Sequence, residues 1–377
     1  MPKLFNARIT TVDAEMEFDV KESVTGKELF DQVSKVIGLR EIWYFGLQYT
    51  DTEGDVTWIK LNKRITDHKF TPSLPFMFRV KFFPENVNDI ITDTTLKLFY
   101  LQVKHSIVND QLYCPPETSI LLASFACQAK YGNYNKETHP AGYLASDHLL
   151  PQNARNQVKT GQDNEHLIKK WWTELKDLSR EEAMLEYLRI AQNLDMYGVS
   201  YFPVKNKHGA ELWLGVHAQG VYVYEKQDTL HPKVKLGWDE IRNVSFNDKQ
   251  LIIKNNDKSI ADVVYITLRH QISKRILALI MGNHELYMRR RQPDTVEIQQ
   301  MKMTVKEEKL AQKQERERLL REVQAREEAE REARNYQNQI RILQDELRSR
   351  NAQPPEGALP YPMPVPSHVP WSGATPP

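Results

Sequence analysis

Cysteine is nearly absent: Cys114 and Cys127 are the only two in 377 residues. Two thiols with no metal-ligand spacing cannot supply a disulfide framework, which points to a reducing compartment and the cytoplasm. Charge of one sign is also missing, since 51 Lys and Arg balance 50 Asp and Glu. Bulk electrostatics therefore favours neither nucleic acid nor an acidic tail, and any anionic partner must be met by a local patch. No stretch approaches the roughly 18 apolar residues of a membrane span, and Met1–Asn6 opens no apolar signal region. Membrane contact is expected to be peripheral. At this length more than one core is expected, because single cores rarely outgrow about 250–300 residues.

What is present divides by period. Phe5, Ala7 and Ile9 alternate, as do Met16, Phe18 and Val20, predicting two half-buried strands about a turn at Asp13-Ala14. Thr25-Gly26-Lys27-Glu28 is a capping box, and Leu29, Phe30, Val33, Val36 and Ile37 form one helical face behind it. Further strands are expected at Trp43–Tyr49, Thr57–Leu61 and Phe76–Phe83, giving a ββαββ lobe over residues 1–83. Residues 89–198 read as all-helical: Pro115-Pro116 opens a helix carrying Ile120, Leu121, Phe125 and Ala129 and stopped at Gly132. Ser179-Arg180-Glu181-Glu182 caps another, with Gly198 beyond it. Over residues 199–292 short strands return, with turn signals at Lys207-His208-Gly209, Gln219-Gly220, Asn247-Asp248 and Asn255-Asn256-Asp257. They end in an amphipathic helix from about Ser273 to Arg291 bearing Ile276, Leu277, Ile280 and Met281. Seven strands closed by one helix predict a pleckstrin-homology or phosphotyrosine-binding barrel.

Residues 294–350 are dense in Glu, Arg, Lys and Gln. Glu317/Arg321, Glu322/Arg326, Glu327/Arg331 and Glu330/Arg334 place the acid four residues before the base, the favourable order on a helix. Ala329, Ala333, Tyr336, Ile340, Leu343 and Leu347 form a short seam, so the segment reads as a charged helix or a short coiled coil. Residues 351–377 are proline-dense and read as a disordered tail.

Several runs resemble the ezrin/radixin/moesin family of FERM-domain proteins. They include Tyr44-Phe45-Gly46-Leu47-Gln48-Tyr49, Trp58-Ile59-Lys60-Leu61-Asn62-Lys63, Tyr113-Cys114-Pro115-Pro116-Glu117-Thr118, Asp195-Met196-Tyr197-Gly198-Val199 and Met281-Gly282-Asn283-His284-Glu285-Leu286-Tyr287-Met288-Arg289-Arg290-Arg291. The resemblance runs to about Lys309, and the Arg-rich Glu315–Glu332 run is also similar to merlin. It implies a multi-domain α+β chain with three lobes: ubiquitin-like, helical of the acyl-CoA-binding-protein type, and pleckstrin-like. By resemblance, a phosphoinositide headgroup site falls on Trp58, Lys60, Asn62, Lys63 and Lys274. Taken alone Lys60 and Lys63 are ordinary solvated charges; the matched motif is what singles them out. A second basic patch of the family keeps Lys249 and Lys258 here but has Gln250 and Ser259 beside them, which weakens it.

The resemblance also implies a receptor-peptide groove between Asn243, Val244 and Phe246 on a strand and Leu277, Met281 and His284 on the last helix of the third lobe. For Leu277 and Met281, core packing is an equal alternative. The implied partners are phosphoinositide membrane at the inner face of the plasma membrane and cell cortex, cytoplasmic receptor tails and PDZ-type scaffolds. Family members end in an actin-binding segment that folds back on the lobes. None is visible before Pro377, which predicts actin contact only indirectly or through a missing segment, and an open module.

Catalytic patterns are weak. His284-Glu285 has Met288 where a zincin needs its second histidine, Gly26-Lys27 lacks the upstream glycine of a phosphate loop, and Cys127 sits in an apolar helical run. An adaptor without cofactor or metal is expected, and not an enzyme.

Overall fold

The computed structural model describes residues 4–70, 75–157, 164–257 and 262–352. In the first lobe β1 (Leu4–Thr10) and β2 (Glu15–Lys21) pair antiparallel, with Ile9 opposite Met16. The turn between them is tied by Thr11 Oγ1, which accepts the Ala14 N–H at 2.9 Å. Helix α1 (Gly26–Ile37) starts on the expected reciprocal cap: Thr25 Oγ1 accepts from Glu28 N and Glu28 Oε2 accepts from Thr25 N. It stops at Gly38, whose φ of 72° suits a residue without Cβ. The chain then turns back so that Leu39 N–H reaches Ser34 O at 2.9 Å. Leu39 is consequently buried in that corner, whereas Val36, expected on the inward face, is 64% exposed.

Strands β3 (Phe45–Thr50), β4 (Val56–Trp58) and β5 (Phe76–Val80) complete a sheet of order β2-β1-β5-β3-β4, with β1 and β5 parallel. Three expected strands end or start short of their patterns; β5 stops at Val80 rather than Phe83, because the N–H groups of Lys81 and Phe82 both turn to Tyr44 O. A single 3-10 turn occupies Ile42–Tyr44 ahead of β3, and β4 ends at Trp58. Beyond Trp58 the carbonyls of Leu61 and Lys63 accept from Lys27 N (2.9 Å) and Gly26 N (2.7 Å), the unsatisfied donors of the first turn of α1. Residues that cap a helix cannot also extend the ladder, so 59–63 is a loop.

The second lobe comprises α2 (Asp93–Val108), α3 (Pro116–Tyr131), α4 (Gln152–Gln157), α5 (Asn164–Glu174) and α6 (Arg180–Ala191). Trp172, fully buried, centres it by donating to Gln128 Oε1 at 3.0 Å and Gly132 O at 2.8 Å. The first lobe is joined to it by the Glu41 carboxylate, which accepts from Ile91 N (3.0 Å), Thr92 N (2.8 Å) and Thr92 Oγ1 (2.9 Å) just before α2. Glu41 is 0% exposed, so these three donors replace the water it loses. Tyr44, Phe45 and Phe83 pack edge-on around Phe99 and extend the same seam.

The third lobe is a seven-stranded antiparallel sheet: β6 (Ser200–Lys205), β7 (Glu211–His217), β8 (Gly220–Glu225), β9 (Val234–Gly237), β10 (Ile241–Asn247), β11 (Gln250–Asn255) and β12 (Val263–Thr267). Its order, β10-β11-β12-β6-β7-β8-β9, leaves β10 and β9 as edges. Helix α7 (His270–Arg290) covers it with Ile272, Ile276, Leu279 and Ile280. These follow the i, i+4, i+7, i+8 rhythm of one face. Each of Leu277 and Met281 stands one residue past that face: Leu277 is half-buried and Met281 is 62% exposed, so Met281 is not a core residue.

The chain divides into two compact units, Met1–Val305 and Lys306–Pro377. Most of the second is the continuation of α8 (Val296–Ala352), a single helix of 57 residues. Of the expected helix pairs, Glu317 meets Arg321 and Glu330 meets Arg334, both at 3.8 Å; Arg326 turns instead toward Glu330 at 3.0 Å, where it finds an acceptor in the next turn. Tyr336, Ile340, Leu343 and Leu347 are all more than half exposed along the expected seam. The proline-dense segment lies from residue 353 onward outside the described residues.

Candidate functional site

The loop after β4 is shaped from both ends. Its carbonyls are held by the α1 N-terminus, and Gly26 permits the approach: a Cβ there would lie 2.5 Å from Ile59 Cγ2 and 2.7 Å from Lys60 O. At the far end buried His68 bonds the loop twice. Its Nδ1 lies 2.9 Å from Arg64 O and so carries the proton, leaving Nε2 to accept the Lys60 N–H at 3.0 Å. Burial depresses the imidazole pKa, in keeping with this neutral form. Lys60, Asn62 and Lys63 are thereby exposed on a backbone anchored at Lys60, Leu61 and Lys63.

Across from the loop runs α7. Between them lies a cleft of about 720 Å³ that the first and third lobes share. All five residues of the expected headgroup set line it: Trp58, Lys60, Asn62 and Lys63 from the first lobe and Lys274 from the third. Trp58 forms part of its floor, packing against the third-lobe core, and Gly46 makes room, since a Cβ there would meet the Trp58 ring at 2.9 Å.

The cleft also contains residues that the sequence did not reveal. Lys81 stands 5.5 Å from the Trp58 ring centroid and 4.9 Å from that of Phe82, and its burial lowers its pKa. His68, Lys69, Gln271 and Arg275 also line it. No local spacing announces them, because each depends on how β5, the 64–69 turn and α7 come together.

The charge balance inside is positive. Arg275 is engaged by Asp51 at 2.6 Å and Asp55 at 3.2 Å, Asp67 by Arg64 at 2.9 Å, and Glu53 by Arg269. The acids on the rim are thus matched, whereas Lys60, Lys63 and Lys274 make no ion pair among the described residues. Exposed ammonium groups from two lobes, a further half-buried cation at Lys81, the Asn62 amide and an indole wall are a receptor for a compact polyanion.

The expected peptide groove is divided by the structure. Asn243, Val244 and Phe246 lie on β10, an edge strand whose outer side no other strand pairs among the described residues. Phe246, however, lines the headgroup cleft and meets His270 at 5.6 Å. His284 stands on α7 with its ring 5.7 Å from that of Trp238, near exposed Met281 and half-buried Leu277. Of the second basic patch, Lys249 is exposed at the β10–β11 turn and Lys258 lies outside the described residues.

Cys114 and Cys127 are buried, and burial pushes each thiol up to about 12, far from the range of a reactive thiolate. Among the described residues no group of His, Cys, Asp and Glu side chains is placed to hold a metal ion, and no helix is long and apolar enough to cross a membrane.

Family models match the chain in three consecutive blocks: the FERM N-terminal domain over residues 9–70, the FERM central domain over 85–202 and the FERM C-terminal PH-like domain over 206–295. Moesin/ezrin/radixin homolog 1 of Culex quinquefasciatus and that of Aedes aegypti are each 56% identical over 346 residues, or 91% of this chain. The chain spans 60% and 59% of the length of these curated relatives. Among solved structures, the FERM and C-terminal domain complex of Drosophila Merlin superposes with a TM-score of 0.73 at 45% identity, covering 77% of this chain and 98% of that one. The Dictyostelium discoideum myosin VII MyTH4-FERM MF2 domain shares the fold alone, with a TM-score of 0.57 at 19% identity, covering 74% of this chain and 59% of that one.

Proposed function

Since this chain belongs to the ezrin/radixin/moesin family of FERM-domain proteins, we propose that it is a membrane–cytoskeleton adaptor whose interlobe cleft binds a phosphoinositide headgroup. The observation that carries this reading is the meeting of Lys60 and Lys63 with Lys274, more than 200 residues away in the chain, around one cleft with Trp58 and Asn62 on its wall. A multivalent phosphate ester would span the two lobes, each lysine supplying a point charge and Asn62 a hydrogen bond. Recruitment to the inner face of the plasma membrane follows from that contact. A receptor tail is then taken at β10 by strand addition, its backbone pairing with the open edge and its side chains meeting Val244, Leu277, Met281 and His284. PDZ-type scaffolds enter this reading as partners beside receptor tails, and actin as an indirect one.

Replacing Lys60, Lys63 and Lys274 with Asn tests the cleft. At about 1 kcal/mol per lysine near an anionic surface, binding to vesicles containing phosphatidylinositol bisphosphate should fall on the order of a hundredfold. The unfolding temperature should hardly change, because the three side chains are exposed and carry no ion pair among the described residues. Retained vesicle binding refutes the assignment. A second reading, a merlin-like signalling scaffold without actin linkage, is favoured by the Arg-rich Glu315–Glu332 run and by the 45% identity to the Drosophila Merlin structure. Co-sedimentation with filamentous actin separates the two.

A further inference from the structure

A second concavity of about 680 Å³ lies where the helical lobe meets the β1–β2 turn and shares no lining residue with the interlobe cleft. Four basic side chains converge on it: Lys104 and His105 from α2, His148 from the turn before α4, and Arg155 from α4. Its one acid, Asp110, is occupied in structure, since its Oδ2 accepts the Gln152 N–H at 3.0 Å at the start of α4.

Lys104 is half-buried and makes no ion pair among the described residues. Asp147, the acid that acts on it through space, is held by Lys130 at 2.7 Å and by the Tyr131 hydroxyl at 2.5 Å. Its ammonium therefore has a π-face, the Tyr100 ring at 5.9 Å, and an open cavity before it, but no counter-charge of its own. Burial lowers its pKa, the mark of a cation short of solvent. Arg155 is pre-positioned by its Nε, which donates to Leu150 O at 2.9 Å and leaves the rest of the fork to another acceptor. Val12, Leu101 and Val108 supply an apolar wall along the same cavity.

We propose that this cavity is a second, independent anion site that takes a phosphate-bearing small molecule of inositol-phosphate size. Its phosphate sits between Lys104 and Arg155, and its ring lies against the Val12–Leu101–Val108 wall. The same chemistry is offered by a soluble inositol phosphate or by the headgroup of a lipid, and the experiment separates them.

The test uses the full chain with Lys60, Lys63 and Lys274 already changed to Asn, which silences the interlobe cleft. Inositol 1,4,5-trisphosphate is titrated by calorimetry, with inorganic phosphate as competitor. Saturable binding should persist in this background and weaken at least tenfold on adding Lys104→Met, and likewise on adding Arg155→Gln. Lys104→Met removes a half-buried charge and keeps the stem packed, so the variant is expected to fold, and its unfolding temperature is measured alongside. Vesicle co-sedimentation of the same variants with phosphatidylinositol bisphosphate assigns the source: a matching loss identifies a lipid headgroup, and no change identifies the soluble ester. Absence of binding in the triple variant, with binding intact in the unaltered chain, overturns this site while leaving the interlobe reading in place. Binding indifferent to both Lys104→Met and Arg155→Gln overturns it as well.

Discussion

Arg275 on α7 lies 2.6 Å from Asp51 Oδ2 on the β3–β4 turn, while the other oxygen of Asp51 accepts the N–H groups of Glu53 at 3.0 Å and Asp55 at 2.9 Å. One carboxylate thus shapes a turn of the first lobe and fastens that turn to the third. Arg269 adds contacts to Glu53 and Asp55, so the rim of the cleft is closed by a small network of opposite charges. The side chains of Arg275 and Asp51 are only 19% and 13% exposed, which places the pair above the near-zero value of a solvated surface bridge.

A double-mutant cycle between Asp51→Asn and Arg275→Gln should give a coupling of about 1–2 kcal/mol in urea unfolding. Either single change weakens the compensation of a partly buried charge, Arg275 keeping only Asp55 at 3.2 Å when Asp51 is neutralised, so each alone should cost more than the pair together. Strict additivity of the two would show that the latch contributes nothing.

Gly282 of α7 packs directly against Phe82 of the first lobe. A Cβ at this position would fall 2.3 Å from Phe82 Cζ and 2.7 Å from Cε1, distances that force the helix or the ring to move. Gly282→Ala is expected to destabilise the chain by about 1–3 kcal/mol despite the better helix propensity of alanine. Adding Phe82→Leu should recover part of the loss, as differential scanning calorimetry of the parent and the two variants will show. An unchanged unfolding temperature for Gly282→Ala would sink the packing argument.

Gly26→Ala addresses the cleft through its scaffold. The new methyl meets Lys60 O, a backbone atom that cannot rotate away, so the loop presenting Lys60, Asn62 and Lys63 must shift. Binding to phosphoinositide vesicles should weaken several-fold while far-ultraviolet circular dichroism remains that of the parent. Equal vesicle affinity would mean that the loop geometry is irrelevant to the cleft.

His217 predicts an acid limb in stability. Burial pushes its imidazole down to about 4, with Glu85 opposing and Lys235 reinforcing the shift, while its Nδ1 accepts the Gln219 N–H at 3.3 Å and the ring stacks on Tyr222. In the unfolded chain the same group titrates near 6.5. Between those values the unfolded chain binds the extra proton, so stability from this residue is intact above about pH 6.5 and is lost as pH falls toward 4. The total is at most about 3 kcal/mol. His217→Gln should flatten the pH dependence relative to the parent in urea titrations at several pH values over that window. Parallel curves for the two proteins would rule out this origin.

The caps and stops were legible in the sequence. Thr25 with Glu28 and Ser179 with Glu182 form the reciprocal bonds expected of them, and Gly38, Gly132 and Gly198 all adopt positive φ where helices or turns end. Each of these depends on residues within one turn of each other, where backbone hydrogen bonding leaves few alternatives. The alternation in β1 and β2 and the seven strands of the third lobe are legible for the same reason. The five expected cleft residues came from resemblance rather than from any local pattern, for nothing in a strand-end lysine such as Lys60 distinguishes it from a solvated charge.

What only the tertiary structure decided concerns contacts between distant segments. The 59–63 run has the composition of a strand, but its carbonyls are claimed by the α1 N-terminus, so Lys60 and Lys63 stand on a loop. Helical periodicity grouped Met281 with Ile280, yet the sheet covers the Ile272–Ile276–Leu279–Ile280 stripe and leaves Met281 exposed. Phe246 belongs to the cleft as well as to β10, and Lys81 and His68 join it through strand order and loop closure. Asp51 and Arg275 are 224 residues apart, and their 2.6 Å separation is set by the packing of Phe82 and Trp58 against the third-lobe core rather than by either residue's neighbours in the chain. Periodicity specifies which face of an element is apolar; which partner covers that face, and which charges its rim then brings together, is determined only when the lobes close on one another.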